Sequence, residues 1–188
     1  VEEIAMGIGL SEEDLIRTAG NEYELDINSF GTRFYFFPEL KALYTVDAET
    51  RIAEHGSYPM IDDYGNYDSK WTGEIYGIGI GATKEKVEKH LGSPTWAAAQ
   101  VWGFTNKRFE AASRNDAYLT VKFSKEGVVI AFGLRLYDSE EIKEKIEFLE
   151  NANLEEEKRA LVEMVVESLL KESEPAGVVN DGAAPHRD

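Results

Sequence analysis

Apolar and polar positions along the chain follow two periods, with short stretches of helical spacing leading into stretches of alternating or aromatic-rich spacing. Gly7-Ile8-Gly9-Leu10-Ser11 opens the first helical stretch and Gly79-Ile80-Gly81-Ala82-Thr83 the second. Leu15 and Ala19 in the first, and Val87 and Leu91 in the second, stand four apart and share one helix face. Ser11 and Thr83 are suited to cap the first free amides, and Gly20 and Gly92 to supply the left-handed residue that ends a helix. With Gly9 aligned to Gly81, Ile8 meets Ile80, Ser11 meets Thr83 and Gly20 meets Gly92, so the two stretches read as copies.

A strand-rich stretch follows each helix. In the first copy residues 32–37 are aromatic and β-prone, Pro38-Glu39-Leu40 interrupts them, and 42–46 and 51–53 flank a polar turn at 47–50. In the second, 118–123 and 128–132 flank the turn Ser124-Lys125-Glu126-Gly127, and 133–137 prolongs the last strand. The repeated unit is therefore a helix followed by an antiparallel meander, and the predicted fold class is α+β. Residues 57–73 read as a linker loop carrying Tyr58, Tyr64, Tyr67 and Trp71 among polar turn residues, and 95–109 as an aromatic insertion carrying Trp96, Trp102, Phe104 and Phe109.

Beyond Tyr137 the pattern becomes helical and acidic. Asp138 with Glu141, and Asn153 with Glu156, each fit a cap followed by a residue that reaches back, which predicts two helices. Ile142, Ile146 and Leu149 form one apolar stripe; Leu161, Val162, Val165, Val166, Leu169 and Leu170 form a wider one. Such stripes need cover, either from the sheets or from a second subunit, so a homodimer through these helices is an expectation. The partition is repeat 1 (1–56), aromatic linker (57–73), repeat 2 (74–137), acidic C-terminal helical segment (138–172) and a disordered tail (173–188).

Composition narrows the chemistry. A net charge of −16 opposes binding to nucleic-acid backbones or anionic lipid and suits a basic partner or simply a solubilising surface. The absence of cysteine removes disulfides, thiolate metal sites and thiol nucleophiles. No apolar run approaches the roughly 18–20 residues of a membrane-spanning helix, so no membrane insertion is expected. VEEIAMGIGL lacks the basic flank and apolar core of a signal peptide, although a chain that opens on Val1 is compatible with a leader already removed.

Catalytic and metal motifs are weak. Gly77-Ile78-Gly79-Ile80-Gly81-Ala82 precedes a helix as a phosphate loop would, but that helix ends at Gly92, Pro94 follows, and the glycines recur at Gly7 and Gly9, so they read as turns and caps. Asp62, Asp63, Asn66 and Asp68 offer oxygens to calcium, yet Gly65 and Tyr67 occupy ligand positions of an EF-hand-like loop and Asp68 its glycine position. His55, His90 and His186 lack partners at metal-ligand spacing, and no Gly-x-Ser-x-Gly turn is present. No cofactor, metal or catalytic residue is expected. Carboxylates are too abundant for a glycosidase pair to be read from sequence. Tyr58, Tyr64, Tyr67, Trp71, Trp96, Trp102 and Phe104 are the candidate interaction residues, because large amphipathic rings anchor interfaces; folding back over the sheet is an equally physical use of them.

The pattern Gly-x-Ser/Thr-x-x-x-Val/Leu-x-x-x-Leu/Ala-Gly followed by aromatic strands resembles a superfamily of helix-plus-antiparallel-sheet repeats. It includes the β-lactamase inhibitor protein, the small lipoprotein of the outer-membrane assembly machinery and a module associated with CAP domains. Gly81-Ala82-Thr83 through Val87 and Leu91-Gly92-Ser93-Pro94 is the closer copy; Gly9 through Gly20 lacks the proline. The resemblance spans residues 4–137 and implies two small sheets sharing a surface and non-catalytic binding of another protein, with an extracytoplasmic or envelope location favoured. The chain departs from it in lacking the inhibitor's disulfides and in carrying the segment Asp138 to Lys171. An acidic inhibitor of a basic enzyme, or an enzyme of unrecognised type, are the alternatives.

Overall fold

The computed structural model describes residues 2–58, 73–111 and 116–173. The tyrosines and tryptophan at 64, 67 and 71, the acidic loop 62–68 and the tail 174–188 lie outside these residues.

A short helix, α1 (Glu2–Ala5), precedes α2 (Glu12–Ala19). Ser11 Oγ accepts from the Asp14 amide at 3.2 Å and Gly20, at φ 117°, closes the helix through its own N–H to Ile16. Strands β1 (Glu24–Ile27), β2 (Arg33–Phe37), β3 (Ala42–Val46) and β4 (Ala53–Tyr58) follow. After a small hairpin, β5 (Glu74–Ile75) and β6 (Ile78–Gly79), comes α3 (Lys84–Leu91), where Thr83 caps the Lys86 amide at 3.2 Å and Gly92, at φ 81°, ends the helix. Strands β7 (Trp96–Ala97), β8 (Val101–Phe109), β9 (Ala117–Phe123) and β10 (Val129–Leu136) lead to one long helix, α4 (Ser139–Ser173).

Eight strands form a single antiparallel sheet in the order β1-β2-β3-β4-β10-β9-β8-β7. The two small sheets implied by the resemblance are thus one, because β4 and β10 pair edge to edge, His55 against Arg135 and Ser57 against Gly133. The residues read as an aromatic insertion at 95–109 are mostly strand, and Ser57 and Tyr58 end β4 rather than begin a loop. Asn153 lies inside α4, so the two expected C-terminal helices are one; its flanks are strong helix formers and no Gly or Pro interrupts them.

Alternation assigns the sheet two faces. Tyr44, Phe37, Leu119, Phe123 and Phe132 point to the face that packs Ile8 and Leu15, with Val87 and Leu91 of α3 in the same core cluster. The helices meet the sheet through matching hydrogen bonds: Gly9 N–H to Ala53 O and Gly81 N–H to Val129 O, both 2.7 Å. Glu12 adds a polar tie, accepting from the Tyr35 hydroxyl, from Arg33 Nε at 2.8 Å and from Arg51 Nη1 at 3.0 Å. A second cluster, Trp96, Tyr118 and Ile142, with Ile146 and Leu149 against it, seats the first turns of α4.

The chain divides into two compact units, Val1–Leu149 and Glu150–Asp188. In the second, the described residues are exposed helix, with Leu154, Leu161, Val162, Met164, Val165, Val166, Leu169 and Leu170 all open to solvent. Among the described residues no helix is long and apolar enough to cross a membrane.

Candidate functional site

Within the first unit, the sheet face that carries Trp96 and Tyr118 holds a cavity of about 320 Å³. Register builds it in three tiers. At one end Arg135 of β10 is paired with His55 of β4 and with Tyr118 of β9. Two residues along, Gly133 is paired with Ser57 and Thr120, and Thr120 with Gly103, over which the Trp96 ring lies. Two further, Ala131 is paired with Lys122, and Lys122 with Val101. Lys145 of α4 contributes from the helix side.

The middle tier depends on two missing side chains. A Cβ on Gly133 would stand 2.4 Å from Thr120 Oγ1 and 2.7 Å from His55 Nε2, so glycine is what lets these two groups converge. A Cβ on Gly103 would stand 2.2 Å from Trp96 Nε1, so the indole lies flat on bare backbone. Lys145 also meets that ring, its Nζ 4.0 Å from the centroid, a cation–π distance. Trp96 Nε1 is buried without a hydrogen-bond partner of normal geometry. The Tyr118 hydroxyl is near enough to feel it: burial pushes that phenol up, and the indole N–H opposes the shift.

Charge is the distinguishing property. Lys122, Arg135 and Lys145 all face the cavity of a protein with net charge −16. His55 has some surface open to the cavity but is enclosed on its other sides by protein; burial, then Arg135, Lys145 and Lys122, push its imidazole down to about 4, so it is neutral at pH 7. Burial and then Arg135 also lower the Lys145 ammonium. Glu141 accepts from Arg135 Nε at 3.0 Å and lies 2.7 Å from Nη2, engaging one edge of a guanidinium that carries five donors. Among the described residues no three His, Asp or Glu side chains converge as metal ligands.

Strand alternation divides the described aromatic candidates. Trp102 and Phe104, two apart on β8, lie on the face opposite Trp96. Trp102 packs edge-on to Phe123 with ring centroids 4.8 Å apart, beside Lys84 Nζ, and Phe104 is fully buried. Tyr58 is half-buried against the same core. Of the four that are described, Trp96 reaches the cavity, as a buried wall. Sequence reading passed over His55, Ser57, Thr120, Lys122, Arg135 and Lys145. The available signal was polar alternation, Tyr118-Thr120-Lys122 between Leu119, Val121 and Phe123, on a strand otherwise suited to a core.

Comparison with protein-family models, with curated proteins and with solved structures finds no match.

Proposed function

We propose that the protein is a non-catalytic binding module whose ligand presents an anionic group to the cavity. The observation that carries this reading is the convergence of Arg135 and Lys145, with Lys122 also in the lining, on one cavity walled by the Trp96 indole. Glu141 engages one edge of Arg135, and each of the Arg135 and Lys145 cations still feels the other, so an anion that binds the folded state between them stabilises it. Catalysis is the poorer reading of the same groups. In the cavity His55 and Thr120 converge over Gly133, and an imidazole at about 4 is far below the operating range of a general base at neutral pH.

Thermal unfolding in acetate and in acetamide, at one fixed ionic strength, tests this. The two probes share a shape and differ in charge. A saturable rise in melting temperature with acetate alone, abolished in Lys145→Met, is the expected result; equal responses to both probes overturn the reading.

We further infer that the chain is a duplicated helix-plus-meander unit of the superfamily it resembles. The support is the pairing of like with like: Ser11 bridges to Ile52 as Thr83 bridges to Val128. A protein partner, expected from the same resemblance, has support of a different kind in the second unit. Eight large apolar side chains stand exposed between Leu154 and Leu170. Burying even half of them would return a free energy comparable with the roughly 4–15 kcal/mol that association costs, at about 1.5–3 kcal/mol for each fully buried side chain. The occupant we propose is the same helix of a second copy, since its apolar residues can meet their own counterparts across a two-fold axis. Sedimentation of the full chain should give an oligomer and the Leu161→Glu/Val165→Glu/Leu169→Glu variant a monomer. A monomeric parent at high concentration would remove this part of the proposal.

A further inference from the structure

We infer that the ligand is a short-chain aliphatic carboxylic acid, its carboxylate held by Arg135 and Lys145 and its tail directed along the sheet toward Ala131 and Val101. This rests on the anion-binding reading above and adds the chemistry of the remainder of the ligand.

The three tiers of the cavity differ in kind. In the Arg135 tier the Nε and Nη2 edge of the guanidinium is engaged by Glu141, and its remaining donors together with the Lys145 ammonium suit a planar carboxylate. In the middle tier, Ser57 and Thr120 add hydroxyls able to donate to a carboxylate oxygen. The far tier is walled by Ala131 and Val101, with Ala98 alongside, and Lys122 stands between the two on β9. Arg135 and Ala131 are four residues apart on β10, about 13 Å along the strand at 3.3–3.4 Å per residue. One end of the space therefore brings Arg135 and Lys145 together, and the other sets the apolar walls Ala131, Val101 and Ala98 beside Lys122.

Size points the same way. A cavity of about 320 Å³ has the volume that about ten water molecules occupy in the liquid, at roughly 30 Å³ each. An inorganic ion bound to Arg135 and Lys145 would leave most of that space to water against Ala131 and Val101. A carboxylate with an attached chain fills it and removes apolar wall from water. The volume also sits at the small end of the range of organic-ligand sites, roughly 300–1,000 Å³, which argues for a short chain rather than a long one.

The test is a titration of the full chain with acetate, butyrate, hexanoate and octanoate, and with inorganic phosphate, at constant ionic strength and well below micelle-forming concentrations. Affinity should climb by about fourfold for each methylene buried, equivalent to ~0.8 kcal/mol, and stop climbing once the tail reaches the Ala131 tier. Phosphate should bind more weakly than butyrate. In Ala131→Leu the climb should stop at a shorter chain while acetate affinity is retained; if that variant fails to fold, the chain-length series on the parent decides alone. Equal affinity for all four acids, or phosphate tighter than every acid, overturns the aliphatic ligand and leaves the anion site standing. No saturable binding of any of the five probes overturns both.

Discussion

The ammonium of Lys145 stands 4.0 Å from the centre of the Trp96 ring, and the same ring lies against the bare backbone of Gly103. The indole thus touches both a cation on α4 and a position in β8 that has no room for a side chain. Gly103→Ala would place a methyl 2.2 Å from the ring and force the ring to move. The expected cost is about 1–3 kcal/mol, the usual range for overpacking, measured by denaturant unfolding. Anion affinity should fall with it, because the ring that moves is a wall of the cavity. A variant as stable as the parent would show that ring and backbone are not in contact.

Glu141 is an internal competitor for Arg135. It holds Nε and Nη2 in the empty protein, and an incoming carboxylate must share the same cation. Glu141→Gln removes the competing charge and keeps the shape. Acetate affinity should rise by about threefold to tenfold, equivalent to roughly 0.7–1.4 kcal/mol, as read by calorimetric titration. A fall in affinity would mean that Glu141 positions Arg135 for the ligand instead of competing with it.

His55 couples the cavity to pH. Its imidazole is near 4 in the folded protein against 6.5 when unfolded, so between those values the unfolded chain binds the extra proton. The stability contributed by neutral His55 is complete above about pH 6.5 and is lost as pH falls through the window toward 4. Glu54, whose carboxyl is raised by burial, then Asp47 and Glu141, acts in the opposite sense from its ordinary value upward, which makes His55→Gln the necessary control. Unfolding free energy should fall more steeply between pH 6.5 and 5 in the parent than in His55→Gln. Bound acetate should also raise the imidazole, because it offsets the cations that depress it, and NMR titration with and without acetate reads this directly. An imidazole that titrates near 6.5 in the folded protein would contradict the described surroundings.

The Glu12 cluster offers a way to separate fold from site. Burial pulls its carboxyl upward, but the bonds from Tyr35 and Arg51 and the charges of Arg33 and Arg51 outweigh this and hold it below its ordinary value. Glu12→Gln leaves the guanidinium of Arg33, 20% exposed, without its counter-ion. A loss of about 1–3 kcal/mol is expected, the range for a partly buried group deprived of its charged partner, with acetate affinity unchanged since the cluster is on the opposite sheet face. A matching loss of affinity would show that the site depends on the helix-side core.

Local features of this fold were legible because they are caused locally. Ser11, Thr83, Gly20 and Gly92 end their helices where the sequence places them, and the turn at 124–127 joins β9 to β10 as its Gly127 predicts. The fusion of two meanders into one sheet was not legible, since the β4–β10 pairing joins residues about eighty positions apart and no local preference encodes it. The cavity inherits that blindness, for His55 and Arg135 become neighbours only through this pairing. Trp96, Trp102 and Phe104 are close in sequence, yet alternation sends Trp96 to one face and Trp102 and Phe104 to the other. The expected second helix start at Asn153 failed because a cap-like residue in a run of strong helix formers does not by itself break a helix.

The most direct measurement is the NMR titration of the three tryptophan indole N–H signals of the full chain with butyrate at pH 7. Trp96 Nε1, buried at the wall of the cavity, should shift saturably at the concentration that saturates binding, while the indole of Trp102, on the opposite sheet face, stays in place. A stationary Trp96 signal at butyrate concentrations that stabilise the protein would place the anion elsewhere and contradict the cavity as the binding site.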